Sequence, residues 1–245
     1  MKRRLTKQIL FLMITVLLLA SMAISVSANT IIEPEEKGSC SDPINDLESY
    51  YYELRDNSLF EPACKGSLKN KNGNEYIVDI YQSDEIVEGE NLYRKDYVYK
   101  IGAGGMVKNN ENAGVNSKGS PATFGWWDDS ISVYGSVSLH YYSSGGTYLL
   151  YRVTGYWFKS DSSVSVSDRW LRCVCITPAV YYQNSSFAGL GMSWDCYTGY
   201  QTYISSSGTA ALAAKSYATL SHGLYSVWSF ETECSLFNTF GDIFT

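Results

Sequence analysis

Residues 131–142 read Ile-Ser-Val-Tyr-Gly-Ser-Val-Ser-Leu-His-Tyr-Tyr, and residues 147–159 read Thr-Tyr-Leu-Leu-Tyr-Arg-Val-Thr-Gly-Tyr-Trp-Phe-Lys. Apolar and polar residues alternate along the first segment, which is the period of a half-buried β-strand. The residues between the segments, Ser143-Ser144-Gly145-Gly146, favour a turn. The stretch therefore predicts an antiparallel β-hairpin.

Working outward from this hairpin, the chain towards the C-terminus has the same character. We expect strands over 168–177, 197–205 and 225–237, with a glycine-broken stretch over 187–194. Residues 209–221 are ambiguous, because their alanines favour a helix while their alternation favours a strand, which we prefer. Short strands separated by Gly/Ser turns predict a mainly β protein with an antiparallel β-sandwich over 124–245.

The segment before the hairpin, residues 29–101, is more acidic and has mixed structure. Asp42-Pro43 is typical of a helix start, and apolar spacing predicts a helix over 43–56. Strands are expected over 75–81 and 92–101. Residues 29–101 thus form a small α+β segment or a propeptide, and the Gly- and Asn-rich residues 102–123 form a linker.

Residues 1–28 have the three parts of a secretory signal peptide. A basic start precedes an apolar run, and Val26-Ser27-Ala28 provides a cleavage site with small residues. An uncleaved membrane anchor is the alternative; after cleavage no stable membrane span is expected. Loss of the four basic side chains of the signal lowers the net charge from −6 to −10. A protein this acidic is not expected to bind nucleic acid.

The cysteines predict disulfides, because an even number of cysteines behind a signal peptide indicates an oxidising compartment. We expect one disulfide within the first segment and two within the β domain. The latter two join the cysteines that are two residues apart to the two single cysteines of that domain. A zinc site is the weaker alternative, since the spacing is poor for it, and no metal or cofactor is expected. The six candidates are Cys40 with Cys64, and Cys173 and Cys175 with Cys196 and Cys234.

The run Trp126-Trp127-Asp128-Asp129 is the candidate ligand site. Adjacent tryptophans on a strand point to opposite faces, so one of them is available to stack on a sugar ring while an aspartate binds its hydroxyls. The alternative is the start of a strand with one core tryptophan and two exposed acids.

No catalytic residue is predicted. Glu231 and Glu233 share the solvent face of a strand, where neither carboxyl has the burial that raises a pKa. His140 lies on the polar face of its strand, and Ser138 is too distant along the strand to act with it. His222 falls in a turn.

Four stretches carry a family resemblance: 153–157, 162–169, 197–200 and 225–230. Over about residues 130–236 the chain resembles uncharacterised secreted β-rich proteins of Gram-positive bacteria. The resemblance implies secretion and a β fold.

These observations predict a secreted, non-catalytic protein that binds a glycan or a protein outside the cell or at its surface. The main alternative is a secreted toxin or bacteriocin-like, membrane-active β protein, because residues 131–158 have the alternation that inserting hairpins need. A secreted hydrolase with an unrecognised site is the third possibility.

Overall fold

A computed structural model of the chain describes residues 46–71, 74–102, 105–108, 132–176, 182–206, 210–222 and 226–237. The chain divides into two compact units, Met1–Asp42 and Pro43–Thr245, and the described residues all lie in the second. They form one helix and thirteen strands. The helix is α1 (Leu47–Asn57), and the strands are β1 (Cys64–Asn70), β2 (Glu75–Gln82), β3 (Ile86–Gly89), β4 (Leu92–Gly102), β5 (Met106–Lys108), β6 (Ser132–Ser144), β7 (Thr147–Lys159), β8 (Val164–Ile176), β9 (Tyr182–Ala188), β10 (Ser193–Tyr197), β11 (Ile204–Ser205), β12 (Ala211–His222) and β13 (Ser226–Ser235).

All the described strands belong to one antiparallel sheet that nearly closes into a barrel. Ten of them follow the order β10-β7-β6-β4-β2-β1-β13-β12-β8-β9, while β3 pairs with β4, β5 with β2 and β11 with β7. The prediction of a mainly β, antiparallel fold is confirmed. The predicted sandwich is not supported, because the strands form one continuous sheet and not two facing ones. Period-two alternation requires only one buried face, which a curled sheet supplies as well as a sandwich does.

The two edges of the sheet, β9 and β10, follow each other in the chain, and hydrogen bonds hold them near one another. Arg169 of β8 donates from Nε to the carbonyl of Leu190, and the amide of Trp157 on β7 donates to the carbonyl of Met192. Further along, the hydroxyl of Ser185 on β9 donates to the carbonyl of Thr198, just after β10. Local connections therefore draw the two edges together.

The inner face of the sheet carries the core, and rings cover its glycines. Tyr99 packs edge-on against Trp157, with ring centroids 5.4 Å apart, and lies over Gly135. Trp194 of β10 lies over Gly155 of β7 in the same way. A strand glycine leaves space that a neighbouring aromatic ring fills, so these glycines allow the large rings to enter the core.

Helix α1 covers part of the outer face. Its apolar residues Leu47, Tyr51 and Leu54 pack against Tyr81, Val98 and Tyr134 of the sheet. The helix begins later than predicted: Asp46, and not Asp42, is the N-cap, and its side chain accepts from the amide of Ser49. None of the helical segments within the described ranges has the length and hydrophobicity of a membrane span.

The structure bears out most predicted strands. The hairpin is confirmed as β6 and β7, and the ambiguous Ala-rich segment is strand β12. The strand predicted over 197–205 is confirmed only at its two ends, in Tyr197 of β10 and in β11, because Gly199 has φ +72° and Thr198 bonds across to β7.

Strands from both sides of the predicted linker share the sheet. Strand β4 pairs with β6, β1 pairs with β13, and β5 lies within residues 102–123. The signal peptide of residues 1–28 lies outside the described residues and stays a prediction.

The ring over Gly155 yields a stability prediction. A Cβ on Gly155 would lie 2.0 Å from Cζ2 of Trp194, so Gly155→Ala must displace a buried ring. We expect a loss of about 1–3 kcal/mol in the free energy of unfolding, measured by chemical denaturation. Gly89→Ala is the matched control, because its nearest neighbour would be Leu92 Cβ at 3.7 Å. Equal stability of the two variants would contradict this packing.

Candidate functional site

Beyond the area that α1 covers, the outer face of β4, β6, β7 and β10 is polar. Strand register aligns two rows across these four strands. The first row consists of Asp96, Ser138, Thr154 and Asp195, and the second of Arg94, His140, Arg152 and Tyr197. We call these eight residues, together with Glu88 of β3, the outer polar patch.

His140 is at the centre of the outer polar patch and is only 4% exposed. Its Nδ1 lies 2.8 Å from Oε2 of Glu88, and its Nε2 lies 3.0 Å from Oγ1 of Thr154. Both ring nitrogens therefore have side-chain partners, which fixes the orientation of the ring. The prediction that His140 is an unassisted surface histidine is wrong, because β3 and β7 bring partners that its own strand lacks.

Glu88 connects the histidine to an arginine. Its Oε1 lies 3.1 Å from Nη1 of Arg94, on the neighbouring strand. Burial raises the pKa of Glu88, but the hydrogen bond and electrostatic interaction with His140 and the charges of Arg94 and Arg152 outweigh burial and hold this pKa below its usual value. The carboxyl group is therefore ionised at neutral pH.

Asp96 anchors the other side of the patch and is 1% exposed. Its Oδ1 lies 3.0 Å from Nε of Arg94, and its Oδ2 accepts from the hydroxyl of Tyr50 on α1 at 2.9 Å. Burial and the charge of Asp96 raise the pKa of Tyr50, so this phenol keeps its proton. Arg94 thus lies between two carboxylates, and the buried charge of Asp96 is paired.

An aromatic surface overlaps one side of the outer polar patch. Tyr142 and Tyr151 have ring centroids 4.9 Å apart, and Tyr151 and Tyr197 are 6.4 Å apart. Arg152 lies over the ring of Tyr197 at 5.6 Å and binds both carboxylate oxygens of Asp195 at 2.7 Å. Burial raises the pKa of Tyr151 to about 12, and Tyr197 is 60% exposed. We call Tyr142, Tyr151, Tyr197, Arg152 and Asp195 the tyrosine surface.

Two kinds of chemistry fit this arrangement. The chain Glu88–His140–Thr154 has a carboxylate, an imidazole and a hydroxyl in the order that activated nucleophiles use. However, the bidentate ion pair of Arg152 with Asp195, which stands opposite Thr154 in the sheet, places fixed donors and acceptors beside that hydroxyl, as a binding surface requires. Binding of a ligand to the tyrosine surface requires no catalytic step, because its aromatic rings and its fixed ion pair can contact a ligand directly.

The other sequence candidates do not join this site. Trp126, Trp127, Asp128 and Asp129 lie outside the described residues and stay predictions. Glu231 is confirmed on the half-exposed face of β13, where it pairs with Lys215 at 3.1 Å, opposite the buried face of Trp228 and Phe230.

His222 is the last residue of β12 and not part of a turn. In the described part of the chain, no group of three or more His, Cys, Asp or Glu residues is arranged to hold a metal ion.

The cysteines of the described ranges are all unbridged. They are Cys64, Cys173, Cys175, Cys196 and Cys234, and Cys40 lies outside the described residues. The prediction of a disulfide-bonded domain therefore stays a prediction.

Sequence reasoning missed Glu88, Thr154, Arg152 and Tyr197 as members of one site. The available signal was the unusual density of charge and tyrosine on the polar faces of neighbouring strands. It does not identify the partners, because Glu88 and His140 meet only through the pairing of β3 with β4 and of β4 with β6.

The lowered pKa of Glu88 predicts a pH-dependent contribution to stability. Its folded pKa is below the ordinary value of 4.5, so its contribution is complete above about pH 5 and is lost as the pH falls through the folded pKa. We expect Glu88→Gln to lower the melting temperature at pH 7, and this difference from the unsubstituted protein to shrink towards pH 3. The exposed Glu90 gives the control variant Glu90→Gln, which removes a nearby carboxyl group and leaves the contact between Glu88 and His140 in place. A Glu88→Gln difference that is constant from pH 7 to pH 3 would overturn this assignment.

Comparisons of the chain with protein-family models, curated protein sequences and solved structures give no match. The resemblance to secreted β-rich proteins of Gram-positive bacteria therefore stays a prediction.

Proposed function

We propose that this chain is a secreted, non-catalytic binding protein that holds a glycan on the tyrosine surface. The observation that carries the proposal is the contact series from Tyr142 through Tyr151 to Tyr197, which ends beside the Arg152–Asp195 ion pair. Tyrosine presents a large rigid ring at low entropic cost, and a paired arginine and aspartate offer donors and acceptors in fixed positions. Sugars have both apolar ring faces and hydroxyl groups, so they fit these two features together.

The charges of the outer polar patch favour an uncharged ligand. The carboxylates of Glu88, Asp96 and Asp195 lie beside the guanidinium groups of Arg94 and Arg152. Because each arginine is already paired with a carboxylate, an anionic ligand would have to compete with that partner. A neutral glycan can form hydrogen bonds with the outward-facing lone pairs and N–H groups of these ion pairs without displacing either partner.

The signal peptide of residues 1–28 supports a location outside the cell. The net charge of −10 after its removal follows from the sequence and is unsuited to nucleic acid or anionic lipid. A Ser-, Thr- and Tyr-rich surface is common in extracellular recognition domains.

A glycan array tests the binding proposal. The mature chain, residues 29–245, is expected to bind a subset of the glycans, and Tyr197→Ala is expected to weaken that binding about tenfold or more. The matched control is Tyr217→Ala, which removes a tyrosine of β12 that stacks on Trp170 of β8, with ring centroids 5.1 Å apart. A mature chain that binds none of the glycans, or a Tyr197→Ala variant that binds like Tyr217→Ala, would contradict the proposal.

The tryptophan run predicts a second contact for the same ligand. Trp126→Ala and Trp127→Ala are each expected to reduce the array signal if the exposed ring stacks on the sugar. Unchanged signals for both variants would restrict the ligand to the tyrosine surface.

A hydrolase is the second candidate, and the Glu88–His140–Thr154 series favours it. In that case the unsubstituted protein would hydrolyse p-nitrophenyl acetate, and Thr154→Val and His140→Gln would each abolish this activity. The binding proposal expects the opposite result, namely no hydrolysis above the rate in buffer. Turnover that depends on Thr154 would replace the binding proposal.

The membrane-active alternative requires the hairpin of β6 and β7 to leave the sheet. Strand β6 is paired along its length with β4 as well as with β7, and β7 also pairs with β10 and β11. Release of the hairpin would break these ladders, so we expect no dye leakage from liposomes at micromolar protein. Leakage under those conditions would support the alternative.

A further inference from the structure

Strands β1 and β13 meet at a seam that joins distant parts of the chain. Their register pairs Leu68 with Phe230 and Gly66 with Thr232. Continuing this register by two residues along both strands places Cys64 opposite Cys234. Directly opposed residues on antiparallel strands have Cβ atoms about 4.5–5.5 Å apart and point to the same face, which is close to the separation found in disulfides.

The side chains of the two cysteines lie close enough to interact. Burial raises the pKa of the Cys234 thiol well above its ordinary value, and the neighbouring Cys64 thiol raises it further. Cys234 is fully buried, whereas Cys64 is half-buried at the border of the core. Tyr97 interacts electrostatically with both thiols, and its hydroxyl donates to the carbonyl of Ser235 at 2.6 Å. A bond between the sulfurs would therefore form within an existing contact.

The residues that flank the two cysteines on the adjacent strands also support this pairing. Ile80 of β2 stands opposite Cys64, and Ala214 of β12 stands opposite Cys234. Neither neighbour offers a thiol, while Cys173 lies beyond Ala214, two strands away from Cys234. Within the described residues, Cys234 is thus the cysteine that faces Cys64, and an aliphatic residue flanks the pair on each side.

We propose that Cys64 and Cys234 form a disulfide that joins β1 to β13 in the secreted protein. The bond forms by exchange with a disulfide oxidant, either a protein or a small molecule. The half-buried Cys64, as its thiolate, attacks the oxidant and one sulfur leaves as a thiolate. The Cys234 thiolate then attacks this mixed disulfide, so the two cysteines lose two protons and two electrons, and both sulfurs of the oxidant are released as thiols.

The proposed pair replaces the pairing of Cys64 with Cys40 that sequence proximity favours. It also takes Cys234 away from Cys173 and Cys175. The disulfide would also have a consequence for processing of the chain. It would join β1 covalently to β13, so that residues 29–101 would stay attached to the sheet in the mature protein and would not be released as a propeptide.

Tryptic mapping without reduction separates the possible pairings. Cleavage after Lys and Arg places Cys64 in peptide 56–65 and Cys234 in peptide 216–245, while Cys173, Cys175 and Cys196 share peptide 173–215 and Cys40 lies in peptide 38–55. The full chain is produced through an oxidising secretory route, alkylated in denaturant and digested. We expect peptides 56–65 and 216–245 to be recovered as one linked species that separates on reduction. A link of 56–65 to 38–55, or alkylation of both Cys64 and Cys234, would overturn the proposal.

A thermal measurement tests the same bond independently. Under oxidising conditions, Cys64→Ala and the double variant Cys64→Ala/Cys234→Ala are each expected to melt about 10 °C below the unsubstituted protein, since both lack the cross-link of a long loop. With a reductant present throughout unfolding, the difference between Cys64→Ala and the unsubstituted protein should largely disappear. A difference of the same size with and without reductant would show that Cys64 acts only through packing, and the proposal would fail.

Discussion

The register between β1 and β13 is the constraint on which the rest of the structure depends. It unites β10, β7, β6, β4, β2 and β1 with β13, β12, β8 and β9, which otherwise form two separate sheets. Gly66 is part of this seam: the ring of Phe230 occupies the space above it, and a Cβ there would lie 2.7 Å from that ring. Phe230 also contacts Tyr99 and Trp157, so the seam and the aromatic core support each other.

The outer face of the sheet is stabilised in two different ways. Where α1 covers the sheet, Tyr51 packs edge-on against Tyr81 and Tyr134, and burial of apolar surface provides the stability. Where no helix covers it, buried charged groups such as Asp96 are paired, as the cost of desolvation requires. Tyr50 belongs to both regions, because it lies on α1 and donates to Asp96. The helix therefore positions one side of the candidate site as well as completing the core.

The sequence predicts which face of a strand a side chain occupies better than it predicts which residues that side chain contacts. Period-two alternation assigned Phe230 and Glu231 to opposite faces of β13, and it located both strands of the β6–β7 hairpin. It placed His140 on the outer face, but the contact with Glu88 depends on how three strands align, which a local pattern does not encode. The change in composition after residue 101 does not separate two sheets, because β4 and Ser-rich β6, from either side of the predicted linker, are direct neighbours. The short strands β1 and β3 were missed, since their alternation is weak.

The Ala-rich strand β12 has a consequence for how the chain folds. It lies between β8 and β13, and its alanines Ala213 and Ala214 are fully buried. The same alanines favour helix in an isolated segment. Local preference and final structure therefore conflict at a central strand, and the nascent chain is expected to sample a transient helix there until β8 and β13 are both in place.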